Sequence, residues 1–297
     1  MNRYVFATLF GLLLAAGGVA GDQEDQAQSG EDRQKPEKEE KEALDVQGLA
    51  AIGIATVAPK CFTSGTGVTF LKVCITERGN ISSFESPAGK VHLQGAREGY
   101  VVCSDLFEPQ GVHGFDAGMA EEGWAAPSVS QPNGSGKLPL IITRNSTDGV
   151  VQLKQTFNII PGEREVSITM AVKNRSASAT LFDVFVDRYF DGDIDNQAAN
   201  AYDDSFQSVW GLATGSGNNT NGLMLTQAPT AVAASTFSVF QPFVDWNPNG
   251  ASLQLARQCL GGIQGSPGED LVGRVSVRIA TIAPGQTKSV TYRYHRI

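Results

Sequence analysis

The sequence predicts an all-β fold: a large antiparallel β-sandwich of two sheets with little helix. Three observations carry that prediction. Almost every periodic segment has period two, so that one face of an extended strand is apolar. Proline and glycine punctuate these segments in the pairings that tight turns require. The body from residue 47 to 297 has the size that sandwiches reach as single domains.

In chain order, residues 1–20, MNRYVFATLFGLLLAAGGVA, have a basic start, an apolar run and a small-residue close. A membrane span wants about 20 strongly apolar residues, so a cleaved secretory signal is expected here in place of an anchor. No second run of spanning length follows, and the mature chain is expected to be secreted or periplasmic with no membrane span. Residues 21–46 hold ten acidic and four basic residues and almost no apolar ones. Such a segment lacks the apolar surface that would offset the entropy of ordering it. It reads as a disordered acidic spacer, although Glu37 and Lys41 stand at helical spacing. The spacer carries most of the net charge of −8, which leaves 47–297 nearly neutral. That excludes the basic footprint of a nucleic-acid binder.

Within 47–297, four segments alternate clearly: Val151, Leu153 and Phe157, with Gln155 as an interruption; Val166 to Val172; Val275, Val277 and Ile279; and Val290, Tyr292 and Tyr294. Turns are expected at Arg78-Gly79-Asn80, Pro87-Ala88-Gly89, Pro161-Gly162 and Pro284-Gly285. The last two sit in similar settings and predict two similar hairpins, one in each sheet. Residues 107–137 are rich in glycine and proline and read as a long ordered loop, and 214–222 as a flexible one. The best helix candidate is the alanine-rich stretch 229–238, which also fits a strand edge or a loop.

Four cysteines, Cys61, Cys74, Cys103 and Cys259, make an even set in a chain with a secretory start. Two disulfides are expected, and no Cys-x₂-Cys pair suggests zinc. Three pairings are possible; in one, Cys61 and Cys74 staple a hairpin while Cys103 and Cys259 tie distant parts of the domain.

The stretch VDRYFDGDIDNQ puts Asp191, Asp193 and Asp195 at alternate positions after an apolar run. Calcium takes several carboxylate and carbonyl oxygens at about 2.5 Å, and alternating aspartates in a turn can supply them. The spacing is not that of an EF-hand, since Asn196 and Tyr202 stand where glycine and glutamate belong. The other reading is a solvated acidic turn beside Arg188. Gly134-Ser135-Gly136-Lys137 fails as a phosphate loop because Gln131 and Leu138 replace required residues. No Gly-x-Ser-x-Gly nucleophile elbow is present. His92, His113 and His295 are scattered, but His113 stands three residues before Asp116 in the glycine-rich region, a spacing that permits a His–Asp pair. Among the tryptophans, Trp124 and Trp246 lie near acids, glycine and proline, where a ring can meet a sugar face; Trp210 reads as core.

The runs GYVVC (99–103), TFNIIPGEREVSITMAVKN (156–174), RYFDGDIDN (188–196) and QSVWGL (207–212) resemble a group of exported bacterial β-proteins of unassigned function. More distantly, the order of strands is similar to large two-sheet sandwiches, including the galactose-mutarotase-like group. That resemblance implies fold and compartment. Enzymes of the group use histidines and a glutamate in an order that His92, His113 and His295 do not reproduce, so no catalytic residue carries over.

The reading that follows is an exported, non-catalytic β-sandwich that acts as a binding protein for a carbohydrate or other envelope component. Its expected ligand residues are Trp124, Trp246, His113 and Asp116, and its expected metal residues Asp191, Asp193 and Asp195, with calcium. The alternatives are a glycan-acting isomerase or lyase using an acid pair among Asp116, Glu121, Glu122 and Asp191–Asp195, or a structural assembly protein.

Overall fold

The computed structural model describes residues 58–94, 98–104, 111–118, 120–160, 162–191, 200–203, 208–212, 222–229, 235–242 and 271–297. At 94, 191, 200–203, 208–212, 235–242 and 271 only the backbone is described. The expected signal and spacer, Cys259, Trp246, Asp193 and Asp195 lie outside the described residues.

Three antiparallel sheets account for the described chain. A four-stranded sheet runs in the order β1 (Lys60–Ser64), β2 (Leu71–Ile75), β3 (Ile81–Glu85) and β4 (Val91–Gln94). An eight-stranded sheet has the order β13 (Asn200–Asp203), β14 (Ser208–Leu212), β15 (Gly222–Ala228), β18 (Thr287–Arg296), β11 (Glu165–Asn174), β10 (Val151–Ile159), β9 (Leu140–Asn145) and β8 (Ser128–Ser130). A six-stranded sheet has the order β16 (Ser235–Pro242), β17 (Leu271–Ile282), β12 (Leu181–Asp191), β5 (Glu98–Ser104), β6 (Gly111–Asp116) and β7 (Glu121–Glu122). Among the described residues the only helical turn is the short 3₁₀ segment Gly67–Thr69, and no helix is long and apolar enough to cross a membrane. The all-β sandwich is therefore the fold, with a smaller third sheet added to the two expected.

Period-two patterning builds the core. Val151, Leu153, Gln155 and Phe157 face inward from β10, and in register beside them stand Val172, Met170 and Ile168 of β11. Tyr292 and Val290 of β18 continue the row. The six-stranded sheet answers with Val184, Val186, Val275, Val277 and Ile279, all in one buried cluster. Fully burying each such side chain is worth about 1.5–3 kcal/mol, so this interface is the main source of stability. The opposite, outer face of the six-stranded sheet carries a second cluster with Val101, Cys103, Phe115, Phe185, Tyr189 and Val272.

The two Pro-Gly segments part company. The first closes a hairpin: β10 pairs with β11 across a turn in which Gly162 has φ +83°. The second does not, which corrects the expectation of twin hairpins. β17 and β18 belong to different sheets, and the turn at Ala283–Gln286 carries the chain from one to the other. The cause is Asn174 at the end of β11, whose backbone N–H donates to Gln286 and whose carbonyl accepts from Gly285. Its side chain also donates to Ile282 O at 2.8 Å, so the emerging chain is captured beside β11. The region 107–137 is corrected as well, since β6, β7 and β8 lie inside it. The alanine-rich stretch is strand from Ser235 onward.

Cys61 and Cys74 stand opposite each other in register and form a disulfide that staples the β1–β2 hairpin. Cys103 is disulfide-bonded too, and no cysteine is free among the described residues.

Candidate functional site

Polar side chains on the inward rows meet between the sheets. Arg188 of β12 is fully buried and donates from Nε to Glu98 Oε1 at 2.7 Å, from Nη1 to Gln155 Oε1 at 2.7 Å and from Nη2 to Gly79 O at 3.1 Å. Its guanidinium lies 5.7 Å from the ring centroids of both Tyr100 and Phe157. Glu98 also accepts from Ile81 N–H at 2.8 Å and from the Tyr294 hydroxyl at 2.9 Å. The pair thus joins β5 and β12 of one sheet, β10 and β18 of the second, and the β2–β3 turn of the third. Gln155, the interruption in the alternating pattern of β10, is the acceptor that this arginine needs. Burial pushes the Glu98 carboxyl up to about 7 against the pull of Arg188. Gly79, at φ +96°, leaves no room for a side chain: a Cβ there would stand 2.1 Å from Gln155 Nε2.

Two of the expected ligand residues, Asp116 and Trp124, fall next to this hub. Asp116 is fully buried, accepting from Asn80 Nδ2 and Gly118 N, each at 2.9 Å, and from Arg144 Nη1 at 2.9 Å. Burial raises its carboxyl to about 6 against the attraction of Arg144. Arg144 Nη2 reaches on to Glu121 Oε2 at 2.5 Å. Trp124 is only 7% exposed. Its ring packs on the Gly114 backbone, where a Cβ would meet it at 2.5 Å, and Arg144 lies 5.9 Å from its centroid. Asp191, the first of the expected metal residues, ends β12 opposite Val272. Among the described residues no group of three or more His, Cys, Asp or Glu is placed to hold a metal ion.

His113 does not pair with Asp116. A register shift between Val102 and Cys103, where β5 meets β6, takes it out of the regular ladder. The ring lies between Ser104 Oγ, 2.8 Å from Nε2, and Asp148 Oδ2, 2.7 Å from Nδ1. Burial alone would raise the Asp148 carboxyl, but hydrogen bonds from Ser146, Val150 N–H and His113 outweigh it and hold it below the usual range. Serine, histidine and aspartate in this atom order form a relay of the kind that activates a nucleophile. Here the accessible end is the carboxylate, 28% exposed as a side chain, while Ser104 is 1% exposed. A nucleophile has to meet its substrate, so this relay acts as a tie between β5–β6 and the β9–β10 turn.

The outer face of the six-stranded sheet carries two further ion pairs. Arg274 Nε donates to Asp187 Oδ2 at 2.8 Å, Ser276 Oγ donates to Asp187 Oδ1, and all three are buried. Further along the same two strands, Arg278 Nε donates to Asp183 Oδ1 at 2.6 Å, and this pair is about 40% exposed, 39% and 41% as side chains. Phe182 beside it is 49% exposed, the one aromatic among the exposed large apolar side chains of the described residues. In the sequence Asp183 and Asp187 read only as further acids ahead of the Asp191–Asp195 turn, and the signal for Phe182 was its place beside an aspartate in LFDVF, an otherwise apolar run.

The described fold defines a large antiparallel β-sandwich. No protein-family model matches the chain and no curated protein matches it. Solved structures do. A bacterial glucoamylase complexed with acarbose matches over 82% of this chain and 32% of its own, with TM-score 0.52 and 10% identity. A putative aldose 1-epimerase from Escherichia coli K12 matches over 80% of this chain and 99% of its own, with TM-score 0.47 and 11% identity. A heparan sulfate lyase from Pedobacter heparinus covers 58% of this chain and 22% of its own, with TM-score 0.34 and 8% identity. This chain thus spans about a third of the glucoamylase's length. The likeness to the glucoamylase is one of fold alone, and it agrees with the β-sandwich expected from the sequence.

Proposed function

We propose that the chain is an exported binding protein for a carbohydrate or other envelope component, and that it does not cleave or isomerise the glycan it holds. The observation that carries the second half is that, among the described residues, each carboxylate with no exposure at all is matched to an arginine: Glu98 to Arg188, Asp116 to Arg144, Asp187 to Arg274. Glycoside chemistry uses two carboxyl groups that flank the scissile bond and exchange protons with it. Carboxylates with no exposed surface cannot reach a scissile bond, and Asp116 and Glu121 converge on one guanidinium. The carbohydrate half is supported by likeness of fold to a glucoamylase solved with acarbose, an argument by analogy. Export agrees with the Cys61–Cys74 disulfide, which persists in oxidising compartments. Calcium held by Asp191, Asp193 and Asp195 belongs to the same proposal.

The test is titration of the mature protein with a panel of neutral and acidic polysaccharides, in EDTA, in calcium and in matched sodium chloride. Binding without new reducing ends or unsaturated products is expected, together with a melting point that rises in calcium and not in sodium. Product formation overturns the non-catalytic reading; equal shifts in the two salts overturn the calcium site.

A further inference from the structure

We infer that Phe182, Asp183 and Arg278 form a sugar-binding platform on the outer face of the six-stranded sheet, built for neutral hexose units. The inference rests on the carbohydrate reading above and assigns it a place and a ligand class. In a regular strand, neighbouring side chains point to opposite faces. β12 breaks that rule once. Leu181 and Val184 both belong to the core cluster, and so do Ile279 and Ile282 across the ladder. Between them, Phe182 and Asp183 are both turned away from the core. Asp183 makes this possible with φ +44°, the one positive φ at a non-glycine residue among the described residues. That region is costly for a side chain and is held where surroundings demand it. Its effect is to set a flat ring and a carboxylate side by side on one surface, with exposed Thr281 directly opposite the ring.

The ion pair is arranged to leave bonds over. Arg278 Nε and Nη2 both meet Asp183 Oδ1, so Nη1 and Oδ2 have no partner among the described residues. A donor and an acceptor side by side suit vicinal hydroxyls, each of which can donate and accept. The aliphatic C–H face of a hexose suits the ring of Phe182. The pair is neutral as a whole, so it offers no net positive charge to select uronates or sulfated sugars over neutral ones.

Affinity electrophoresis and calorimetry with maltoheptaose and other neutral oligosaccharides, against polygalacturonate and heparin, test this on the full mature chain. Phe182→Ala and Arg278→Ala are each expected to weaken neutral-sugar binding by about tenfold, or about 1.4 kcal/mol, with the melting point within a few degrees of wild type. Val68→Ala, at an exposed valine elsewhere, should have no effect. If the wild type binds neutral sugars and both platform variants bind equally well, the platform is overturned while the carbohydrate reading stands. A preference for the acidic polymers overturns the ligand class. Failure of the wild type to bind any sugar overturns both readings.

Discussion

Arg188–Glu98 and Arg278–Asp183 are both arginine–carboxylate pairs of one sheet, the first between the sheets and the second on the outer face. The first has no exposure at either side chain, the second about 40% at each. Enclosure makes the difference in role. Two charges taken from water cost several kcal/mol each, recovered only when every donor and acceptor finds a partner. Arg188 meets that demand with Glu98, Gln155 and Gly79 O, contacts drawn from all three sheets. An exposed pair contributes about 0–1 kcal/mol, so Arg278 and Asp183 can change partners without loss of the fold. A buried pair specifies structure, and an exposed one is available for recognition.

The largest expected effect tests that contrast. Arg188→Ala leaves Glu98 buried without its cation and should cost about 3–5 kcal/mol. At about 2–4 °C per kcal/mol for a domain of this size, the melting point should fall by roughly 6–20 °C in calorimetry. Arg278→Ala should move it by no more than a few degrees. The contrast sharpens if Arg188→Met combined with Glu98→Leu recovers much of the loss, because apolar groups of similar volume remove both charges together. Equal losses from the two single alanine variants would break it.

A smaller effect is expected from pH. The folded Glu98 carboxyl sits at about 7 against its ordinary 4.5, so the folded chain binds its proton more tightly. Its contribution is fully present below about pH 4.5 and is lost as pH rises through about 7. The loss is on the order of 3 kcal/mol, and Asp116, raised to about 6, adds to it with the same sign. The melting point should therefore be higher at pH 5 than at pH 8. Glu98→Gln should flatten this slope; an unchanged slope in that variant would place the titration elsewhere.

The fold was legible in the sequence because alternation is a local signal, and the strands around Val166 and Val290 stand where the pattern put them. Sheet membership was not legible. Pro161-Gly162 and Pro284-Gly285 have the same turn chemistry, and what separates them is Asn174, a residue more than a hundred positions from the second turn. The site was half legible. Gln155 stood out as an interruption and Arg188 only as the cation beside the acidic turn, and it is the pairing of sheets that makes one the partner of the other. His113 was singled out with the wrong aspartate, since sequence spacing favours Asp116 and the fold delivers Asp148. Phe182 was hidden because an unbroken alternation would have given no reason to expect it and Asp183 on the same side.

The smallest effect on stability concerns Asp183 itself. Glycine adopts φ +44° without strain, so Asp183→Gly removes the cost of a left-handed side chain, adds backbone freedom to the unfolded chain, and deletes an exposed ion pair. These contributions are each about 1 kcal/mol or less and differ in sign, and the melting point should stay within about two degrees of wild type. Asp183→Val is the opposite case, because a β-branched residue resists positive φ. Either the variant holds the kink and loses stability, or the backbone relaxes and alternation is restored across Leu181–Val184. Hydrogen exchange distinguishes these: relaxation should change protection at 182–184 and at 279–281 across the ladder, while Asp183→Gly leaves both as they are. If valine is accepted with neither lost stability nor altered exchange, the positive φ is not what turns Phe182 and Asp183 to the same side, and the outer pair loses the geometry that sets it apart from the buried one.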